Sequence, residues 1–560
     1  MANKKISEFN TFNTLNDSDK FLINNKGTTT GTVALSTLKN EIANNSQFSL
    51  GSALDGQYLK YDGAVNKWKP ADLPSTSGGT TNTVYTIKEP AKGLARMLLS
   101  HYGYSFFTDY GVYRMGYNRM VGGSNENTYF NKPINIPFFG NYLKNNPTVK
   151  PVKCTFNLKS VFTLLSDGTL WGCGYATYWQ SGQPVTAGKF SSVFLPLNTG
   201  VLANKTIVDF SINDGGDSSD KHTIGVLCSD NTAYVWGYNA WGQLGNGNTI
   251  ASNTPIQVNI PGKTPAQISV GGYYADAGTN VLVRMTDGTL YVAGFNVTGG
   301  LGTGDTVSKN TFVIAKENAT TNLSNVAEIL EFHGMNMGHT RFIKKTDGSL
   351  WGTGLNSIGQ LGIGNTTQQT FYTKATLPTG VSVKKLVSCG WKGNTAMCLL
   401  DTNGLVYTWG NSSYGTTGQG SATHISTPTK VQVYQKTMTS TEALPKIKDI
   451  NGTNSANNGI FGLITETGEL LTAGIYSLNA LSIMKTNSNN TDTYYRFEKR
   501  NDVENIEEVI FYDNCLDDQY STGTITRDKY GRLRGWGVNR GQILGIYEGE
   551  YSDIAVPLNY

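Results

Sequence analysis

Short runs of alternating apolar and polar residues, separated by glycine, asparagine or aspartate, fill the chain from about residue 84 onwards. One unit reads "TRFIKKT", Asp-Gly, "SLWGTG", "NSIGQLGIG", "TKATLP" and then "SVKKLVSCG", which opens the next unit. Period-two runs of this length, with turn residues between them, predict short β-strands. Each unit is therefore expected to form four antiparallel strands. A segment such as "SVKKLVSCG" is the first strand, "TRFIKKT" the second, "SLWGTG" the third and "TKATLP" the fourth. A type I′ hairpin is expected at Asp-Gly between the second and third strands, and a glycine-rich corner between the third and fourth.

This unit recurs along the chain at a spacing of roughly sixty residues. Each copy contains a glycine at the end of its third strand. These anchor glycines are Gly116, Gly174, Gly237, Gly294, Gly354, Gly410, Gly474 and Gly537. A lone four-stranded sheet cannot cover both of its faces, so the copies are expected to stack around an axis. The pattern predicts an all-β propeller of seven or eight four-stranded blades over residues 84–560.

The glycine-rich corner is most complete in "WGYNAWGQLGNG" at residues 236–247. A phosphate-binding loop is also rich in glycine, but it connects a strand to a helix and carries a GK[ST] ending, and this corner has neither feature. "PGKT" at residues 261–264 has Gln257 where the motif requires glycine. We therefore interpret the corner as a structural turn in which Gln243 and Gln360 form side-chain hydrogen bonds.

The corner sequences resemble the RCC1 (regulator of chromosome condensation) repeat family. The matching segments are residues 236–247, "GFNVTGGLGTG" at 294–304 and "GLNSIGQLGIG" at 354–364, with weaker copies at 410–420 and 537–545. The resemblance covers residues 84–560 and implies an RCC1-like β-propeller. That family usually has seven blades, whereas eight anchors are present here, so both numbers stay open. The C-terminal "DIAVPLNY" either completes its own blade or adds a strand to the first.

The first eighty residues follow a different pattern. "DKFLINN" and "TTGTVALS" predict a hairpin, and "STLKNEIANN" predicts a helix with Ser36 as its N-cap. Residues 5–38 resemble the N-terminal module of bacteriophage tail-fibre and tail-appendage proteins. Residues 1–50 are accordingly interpreted as a small α+β virion-anchoring module, and residues 51–83 as a small β-element followed by a flexible linker.

Charge and composition exclude several classes of partner. Charged residues make up 15% of the chain, and the net charge of +4 is not concentrated in a basic tail, so no nucleic-acid partner is expected. There is no apolar run of membrane-spanning length and no secretory signal pattern, so no membrane insertion is expected. The cysteines are interpreted as buried reduced thiols; they are Cys154, Cys173, Cys228, Cys389, Cys398 and Cys515.

No constellation typical of catalysis is present, so we expect no enzyme activity, no cofactor and no metal. Two weaker alternatives remain. His333 and His339 lie in one loop and are a possible metal pair. "NDGGDSSDKH" offers Asp214, Asp217 and Asp220, whose oxygens suit calcium, although the spacing is not that of an EF-hand.

The sequence does predict a recognition surface. In a four-stranded blade, the loops between first and second strands and between third and fourth strands emerge at the same end. These loops are rich in tyrosine, tryptophan, asparagine, serine and glycine, residues typical of binding surfaces. The candidate receptor-binding residues are Tyr178, Trp179, Trp241, Tyr273, Tyr274, Asn336, Trp391 and Tyr414. The alternative for each aromatic residue is that it fills a gap between blades.

Together, the two resemblances imply a bacteriophage tail protein. Made in the host cytoplasm and incorporated in the virion, it is expected to bind other tail proteins through residues 1–80 and a bacterial surface receptor, glycan or protein, through its propeller. Anchors of this kind imply a homo-oligomer, with a trimer as the common arrangement. The main alternative is a non-adhesive structural or decoration protein of the tail or collar. A GTPase exchange factor and a depolymerase are further alternatives.

Overall fold

A computed structural model of the 560-residue chain shows the architecture. It describes residues 20–25, 29–34, 57–62, 67–72, 95–100, 103–108, 111–117, 129–135, 142–143, 145–156, 160–175, 190–213, 222–272, 278–330, 339–389, 395–413, 415–437, 440–452, 459–475, 493–501, 503–513, 522–530, 532–538 and 551–557.

The chain divides into two compact units, residues 1–88 (with residue 560) and residues 89–559. The first unit contains two antiparallel hairpins at the predicted places. Their strands are β1 (Lys20–Asn25), β2 (Thr29–Ala34), β3 (Gln57–Asp62) and β4 (Lys67–Asp72). The predicted helix after Ser36 lies outside the described residues.

The second unit contains eight sheets among its described residues, one for each anchor glycine. Seven have four antiparallel strands, and the blade 7 sheet has six because an added hairpin pairs with its antiparallel four-stranded core. Blades 1 and 2 are β5 (Ala95–Ser100), β6 (Gly103–Thr108), β7 (Gly111–Tyr117), β8 (Tyr129–Asn135), and β9 (Pro151–Phe156), β10 (Ser160–Leu165), β11 (Leu170–Tyr175), β12 (Phe190–Pro196). A 3₁₀ turn, Gly200–Leu202, follows. Blades 3 and 4 are β13 (Ile207–Ile212), β14 (Thr223–Cys228), β15 (Ala233–Gly237), β16 (Ser252–Gln257), and β17 (Pro265–Gly271), β18 (Asn280–Met285), β19 (Leu290–Gly294), β20 (Lys309–Ile314).

The second half of this unit repeats the plan and adds one hairpin. Blades 5 and 6 are β21 (Val326–Leu330), β22 (Thr340–Lys345), β23 (Leu350–Gly354), β24 (Gln369–Lys374), and β25 (Val383–Cys389), β26 (Ala396–Asp401), β27 (Val406–Gly410), β28 (Ile425–Lys430). The added hairpin is β29 (Val433–Thr437) and β30 (Ser440–Ala443). Blades 7 and 8 are β31 (Ile447–Gly452), β32 (Ile460–Thr465), β33 (Leu470–Ile475), β34 (Thr493–Lys499), and β35 (Ile506–Asp513), β36 (Thr522–Asp528), β37 (Leu533–Val538), β38 (Tyr551–Pro557).

The expected all-β propeller is confirmed. Strand β38 pairs with β37, so the C-terminal segment completes its own blade rather than extending the first. The first strand of blade 8, β35, lies against the first strand of blade 1, β5, which closes the array of eight sheets. None of the described residues forms a helix long and apolar enough to cross a membrane.

Apolar packing between neighbouring blades forms the core. The second strands β14, β26 and β32 are buried along their whole length, which means that both of their faces are covered. One cluster joins Leu164 of blade 2 to Phe210 and Ile224 of blade 3, and equivalent clusters lie between the following blades up to blade 8. Since each fully buried apolar side chain contributes about 1.5–3 kcal/mol, the stacking supplies the main stabilisation.

Backbone hydrogen bonds connect the blades at the Asp-Gly end. The first residue of a blade's first strand donates its backbone N–H to the carbonyl oxygen of the turn glycine in the preceding blade. This bond joins Ile207 to Gly168 at 3.0 Å, Val326 to Gly288 at 2.9 Å and Ile506 to Gly468 at 2.8 Å. In each of these first strands a β-bulge follows immediately, which leaves the next residue outside the regular hydrogen-bond ladder.

The Asp-Gly turn is not the predicted type I′ turn. In blade 4 the Gly288 N–H donates to the Met285 carbonyl oxygen at 3.0 Å, and Gly288 has φ of +78°, whereas Asp287 does not have a positive φ. This is a type I turn followed by a left-handed glycine, which forms a G1 bulge. The Asp287 carboxylate instead accepts hydrogen bonds from the N–H and hydroxyl of Thr289, at 3.0 and 2.6 Å. The carboxylate therefore stabilises the turn without a strained backbone.

The fourth strand also differs from the prediction. The sequence predicted it at "TKATLP", residues 373–378, but β24 spans Gln369–Lys374. The strand begins earlier because the glycine-rich corner ends beside the outer edge of the blade, where the chain pairs with the third strand at once. Only the Ala375 N–H continues the pairing, to the Leu350 carbonyl oxygen at 2.9 Å.

A buried asparagine holds each complete corner together. The Asn356 amide donates to the carbonyl oxygens of Asn365 and Thr367 at 2.9 and 3.1 Å, and its side-chain oxygen accepts the Leu361 N–H at 2.8 Å. Asn239 and Asn296 make the same set of bonds in blades 3 and 4. One side chain thus satisfies three backbone groups in each of these corners.

Blade 6 replaces this asparagine with serine. The Ser412 hydroxyl donates to the Ser421 carbonyl oxygen at 2.6 Å and contacts the Thr417 hydroxyl at 2.7 Å. Ser421 lies nine residues on, as Asn365 does from Asn356, so the same corner is kept with a shorter side chain.

The predicted glutamine hydrogen bonds are confirmed. The Gln243 side-chain oxygen accepts the Trp241 N–H at 3.0 Å, and its amide donates to the Thr223 hydroxyl at 3.2 Å. The Gln360 oxygen accepts the Ile358 N–H at 3.1 Å. Both glutamines fix the middle of a corner.

The corner glycines are required by the next blade. Gly302 has φ of +66°, and a Cβ there would lie 2.5 Å from the Tyr372 ring on the outer strand of blade 5. Gly359 likewise leaves no room for a Cβ beside Ser426 of blade 6. Each corner therefore covers the outer edge of the following blade, which removes an unpaired strand edge.

We expect Asn356→Ala to lower the free energy of unfolding by about 2–4 kcal/mol, because it leaves two carbonyl oxygens and one N–H without their partner. Urea denaturation of the full chain measures the loss. Ser357→Ala, at the exposed neighbouring position, is the control and should stay within about 0.5 kcal/mol of wild type. An equal effect of both substitutions would show that the asparagine is not the fastening residue.

Glu498 on β34 should make stability depend on pH. Burial raises the pKa of this carboxyl from its ordinary value of 4.5 to about 7. The native state therefore binds the proton more tightly than the unfolded state, and its contribution to stability is present below pH 4.5 and is lost as the pH rises through 7. The gain in melting temperature from Glu498→Gln should consequently be larger at pH 8 than at pH 5. The exposed Glu466→Gln should show no such difference, and a pH-independent effect of Glu498→Gln would contradict the assignment.

Candidate functional site

The antiparallel strands create two different ends in the second unit. The Asp-Gly turns lie at one end, called here the turn face. The loops between first and second strands and between third and fourth strands lie at the other, the loop face. The turn face is built from short repeated turns, whereas the loop face carries the longer and more varied connections. Binding residues on a rigid scaffold are most often found on such loops.

The structure describes one of the eight predicted binding residues, Trp241. The other seven lie outside the described residues: Tyr178, Trp179, Tyr273, Tyr274, Asn336, Trp391 and Tyr414. Their grouping as a binding surface therefore stays a prediction.

Trp241 lies in the corner of blade 3 and is half-buried. Its indole ring meets the Phe295 ring of blade 4 edge to face, with the ring centroids 5.0 Å apart. The Phe295 ring in turn meets the His339 ring of blade 5 at 5.2 Å. Trp241 thus packs between blades and stays partly exposed. It fills a gap between blades, and its part in binding stays a prediction.

His339 is part of this packing. Its ring nitrogen Nδ1 lies 3.3 Å from the Thr298 hydroxyl of the preceding corner, and burial lowers its pKa below the ordinary value. The imidazole is therefore neutral near pH 7. His333, its proposed metal partner, lies outside the described residues, as do Asp214, Asp217 and Asp220. Within the described ranges no group of three or more metal-binding side chains occurs.

An apolar rim lies on the corners of blades 3 and 4, formed by Ile250, Val297 and Val307. Their side chains are 73%, 55% and 63% exposed. The Gly247 N–H of the blade 3 corner donates to the Asn310 carbonyl oxygen of blade 4 at 2.8 Å. Because Ile250 and Val307 are each three residues from this contact, they belong to the same part of the loop face.

The corner asparagines hold the backbone of this rim in place. The Ile250 carbonyl oxygen accepts from the Asn239 amide at 3.0 Å, and the Val307 carbonyl oxygen accepts from the Asn296 amide at 3.2 Å. In blade 5 the equivalent acceptor belongs to Thr367. The apolar side chains therefore extend from fixed backbone, which lowers the entropy cost of binding a partner.

Sequence reasoning missed the apolar rim because it followed aromatic residues. A signal was present: the residue eleven positions after the corner asparagine is isoleucine in blade 3 and valine in blade 4, but threonine in blade 5. A single exposed aliphatic residue does not indicate an interaction site; several on the same part of the surface do.

One charged pair borders the rim. The Asp305 carboxylate pairs with the Lys309 ammonium at 2.7 Å. Burial alone would raise the pKa of Asp305, but hydrogen bonds from Lys309, the Val307 N–H and Thr303 outweigh it and lower the pKa. The described part of the loop face therefore presents apolar side chains beside a paired carboxylate and ammonium.

Comparison with known proteins identifies the repeat. Residues 230–275 match the family model described as "Regulator of chromosome condensation (RCC1) repeat". The human E3 ubiquitin-protein ligase HERC2 is 27% identical over 295 residues, which are 51% of this chain and 6% of that protein. The Ultraviolet-B receptor UVR8 of Arabidopsis thaliana is 29% identical over 211 residues, 38% of this chain and 43% of the receptor. The chain thus spans less than half the length of either relative.

Among solved structures, Prp20p from Saccharomyces cerevisiae is similar with a TM-score of 0.47 and 16% identity, over 70% of this chain and 85% of that one. Residues 230–275 cover most of blade 3's second hairpin and its corner, with the start of blade 4. With its repeated sheets and the matched repeat, the chain is an RCC1-like β-propeller.

Proposed function

We propose that this protein is a bacteriophage tail appendage that uses its propeller to adhere to the host cell surface. In this proposal the chain has no catalytic role. Residues 1–80 attach it to other tail proteins in a homo-oligomeric assembly, and the loop face contacts a glycan or protein on the bacterium.

The apolar rim is the observation that carries the binding part of the proposal. Three large aliphatic side chains are more than half exposed on two adjacent corners, beside the half-buried Trp241. Exposed apolar groups that cluster on a rigid surface mark interaction sites. Their equivalents in blade 5, Ser357 and Thr367, are polar, so the surface has a definite location on the ring.

The phage assignment rests on the N-terminal residues. The pattern from Lys5 to Leu38 resembles tail-appendage modules, and its predicted hairpin is present as β1 and β2. A hairpin of this size buries little apolar surface by itself, which favours assembly with sister chains or other virion proteins.

An adsorption assay tests the proposal. The full chain is incubated with a panel of bacterial isolates, and the bound fraction is measured for wild type and for the double variant Ile250→Asp, Val307→Asp. Two charges on the apolar rim should weaken adsorption at least tenfold because a carboxylate cannot be buried in an apolar contact without a partner.

The double variant Ser357→Asp, Thr367→Asp is the matched control, since it places the same charges on the corner of blade 5. It should adsorb as wild type does. A wild-type chain that stays with purified virions and binds no isolate would instead indicate the structural or decoration role.

A further inference from the structure

The corners of blades 3 and 4, which carry the apolar rim, contain almost no charge. Residues 236–257 include no acidic or basic side chain, and residues 294–314 include only Asp305 and Lys309. Both oxygens of the Asp305 carboxylate are occupied. Its Oδ1 accepts from the Asn296 amide and the Val307 N–H at 3.0 and 3.1 Å, and its Oδ2 accepts from the Lys309 ammonium at 2.7 Å. A molecule that docks on these two corners therefore meets one paired carboxylate and ammonium and no unpaired charge.

Amides beside the rim bind the backbone of the corners. The Asn248 side-chain oxygen accepts the Ile250 N–H at 2.8 Å. The Asn310 amide donates to the Gly247 carbonyl oxygen at 3.0 Å. These hydrogen bonds hold the corners in shape, and the polar groups that form them are already used by the protein itself.

The exposed side chains of the rim offer apolar contact without hydrogen bonds. Ile250, Val297 and Val307 are 73%, 55% and 63% exposed, and none of them has a polar atom in its side chain. A sugar ring carries hydroxyl groups on most of its carbons, and a hydroxyl that is buried without a hydrogen-bond partner costs free energy. Aliphatic or aromatic side chains of a protein lose only their contact with water, which favours their burial.

We propose that the partner of the apolar rim is a surface protein that presents uncharged apolar side chains, and not a glycan. This inference rests on the adhesion proposed above and names the class of receptor. Ile250, Val297 and Val307 supply the contact area from backbone that the corner asparagines already hold in place, so little conformational entropy is lost on binding.

Opposite charges at one rim position test the character of the contact. Val297→Lys and Val297→Glu should each weaken adsorption of the full chain, to an isolate that wild type binds, at least tenfold. Either charge would be buried without a partner, so the sign should not matter. If one charge weakens adsorption and the opposite charge strengthens it, the partner is charged and the proposal is wrong.

The matched controls lie on the corner of blade 5. Ser357 directly follows the corner asparagine Asn356, as Val297 follows Asn296, and it is exposed. Ser357→Lys and Ser357→Glu should adsorb as wild type does. Thermal melting curves of all four variants should match wild type because both side chains face solvent.

Treatment of the cells separates the two kinds of receptor without changing the protein. Protease digestion removes surface proteins, whereas periodate cleaves the vicinal diols of sugars. Adsorption of wild type should fall at least tenfold after protease digestion and stay unchanged after periodate. Loss after periodate, whether or not protease also reduces adsorption, would place sugars in the contact and overturn the proposal.

Salt dependence gives an independent readout. Raising the sodium chloride concentration about tenfold should leave the adsorbed fraction unchanged, because screening acts on charges and this contact has no unpaired charge to screen. A steep fall in adsorption would show that charged groups carry the interaction.

This inference and the adhesion on which it rests fail differently. Adsorption that depends on the rim but is lost after periodate keeps adhesion and rejects the protein receptor. A full chain that adsorbs to none of the isolates contradicts both.

Discussion

A sheet that is apolar on both faces must be covered on both sides, and this constraint governs the whole second unit. The second strands of blades 3, 6 and 7 are buried along their entire length, so no blade is complete without its two neighbours. Stacking eight sheets and bringing β35 against β5 meets the requirement for all of them. No strand from the beginning of the chain is needed for closure, because each blade supplies its own four strands.

The same constraint explains the glycine-rich corners. Each corner must turn the chain sharply and also lie flat on the outer strand of the next blade, and a side chain at Gly302 or Gly359 would prevent that contact. A buried asparagine such as Asn356 replaces the missing strand hydrogen bonds inside the corner. The glycine and asparagine positions of the corner are therefore required for packing, and only the side chains on its exposed side vary between blades. Ile250 and Val307 occupy such positions, so a repeated backbone geometry presents different exposed side chains in different blades.

The sequence predicted the positions of the hairpin strands better than it predicted the turns and corners that connect the strands. The hairpins "TRFIKKT" and "SLWGTG" appear as β22 and β23, because alternation and turn residues act within a few positions of each other. The turn type was wrong, since Asp-Gly is compatible with two hairpin geometries and the following hydrogen bonds choose between them. The fourth strand was placed too late because its start depends on the corner, which is fixed by contact with another blade. Trp241 packs between blades and is still partly exposed, and no local sequence pattern separates a packing tryptophan from a binding one.

The amino-acid sequence by itself determined the repeat, its period, the number of strands in each unit and the need for stacking, because these follow from the order of apolar and turn residues. It also determined the glutamine and glycine positions in the corner. Only the tertiary structure decided that eight sheets are present, that β38 completes its own blade, that exposed aliphatic residues lie on two adjacent corners, and that the β29–β30 hairpin borders a cleft. Those features depend on which residues from distant parts of the chain come together, and packing between blades, rather than local preference, sets those distances.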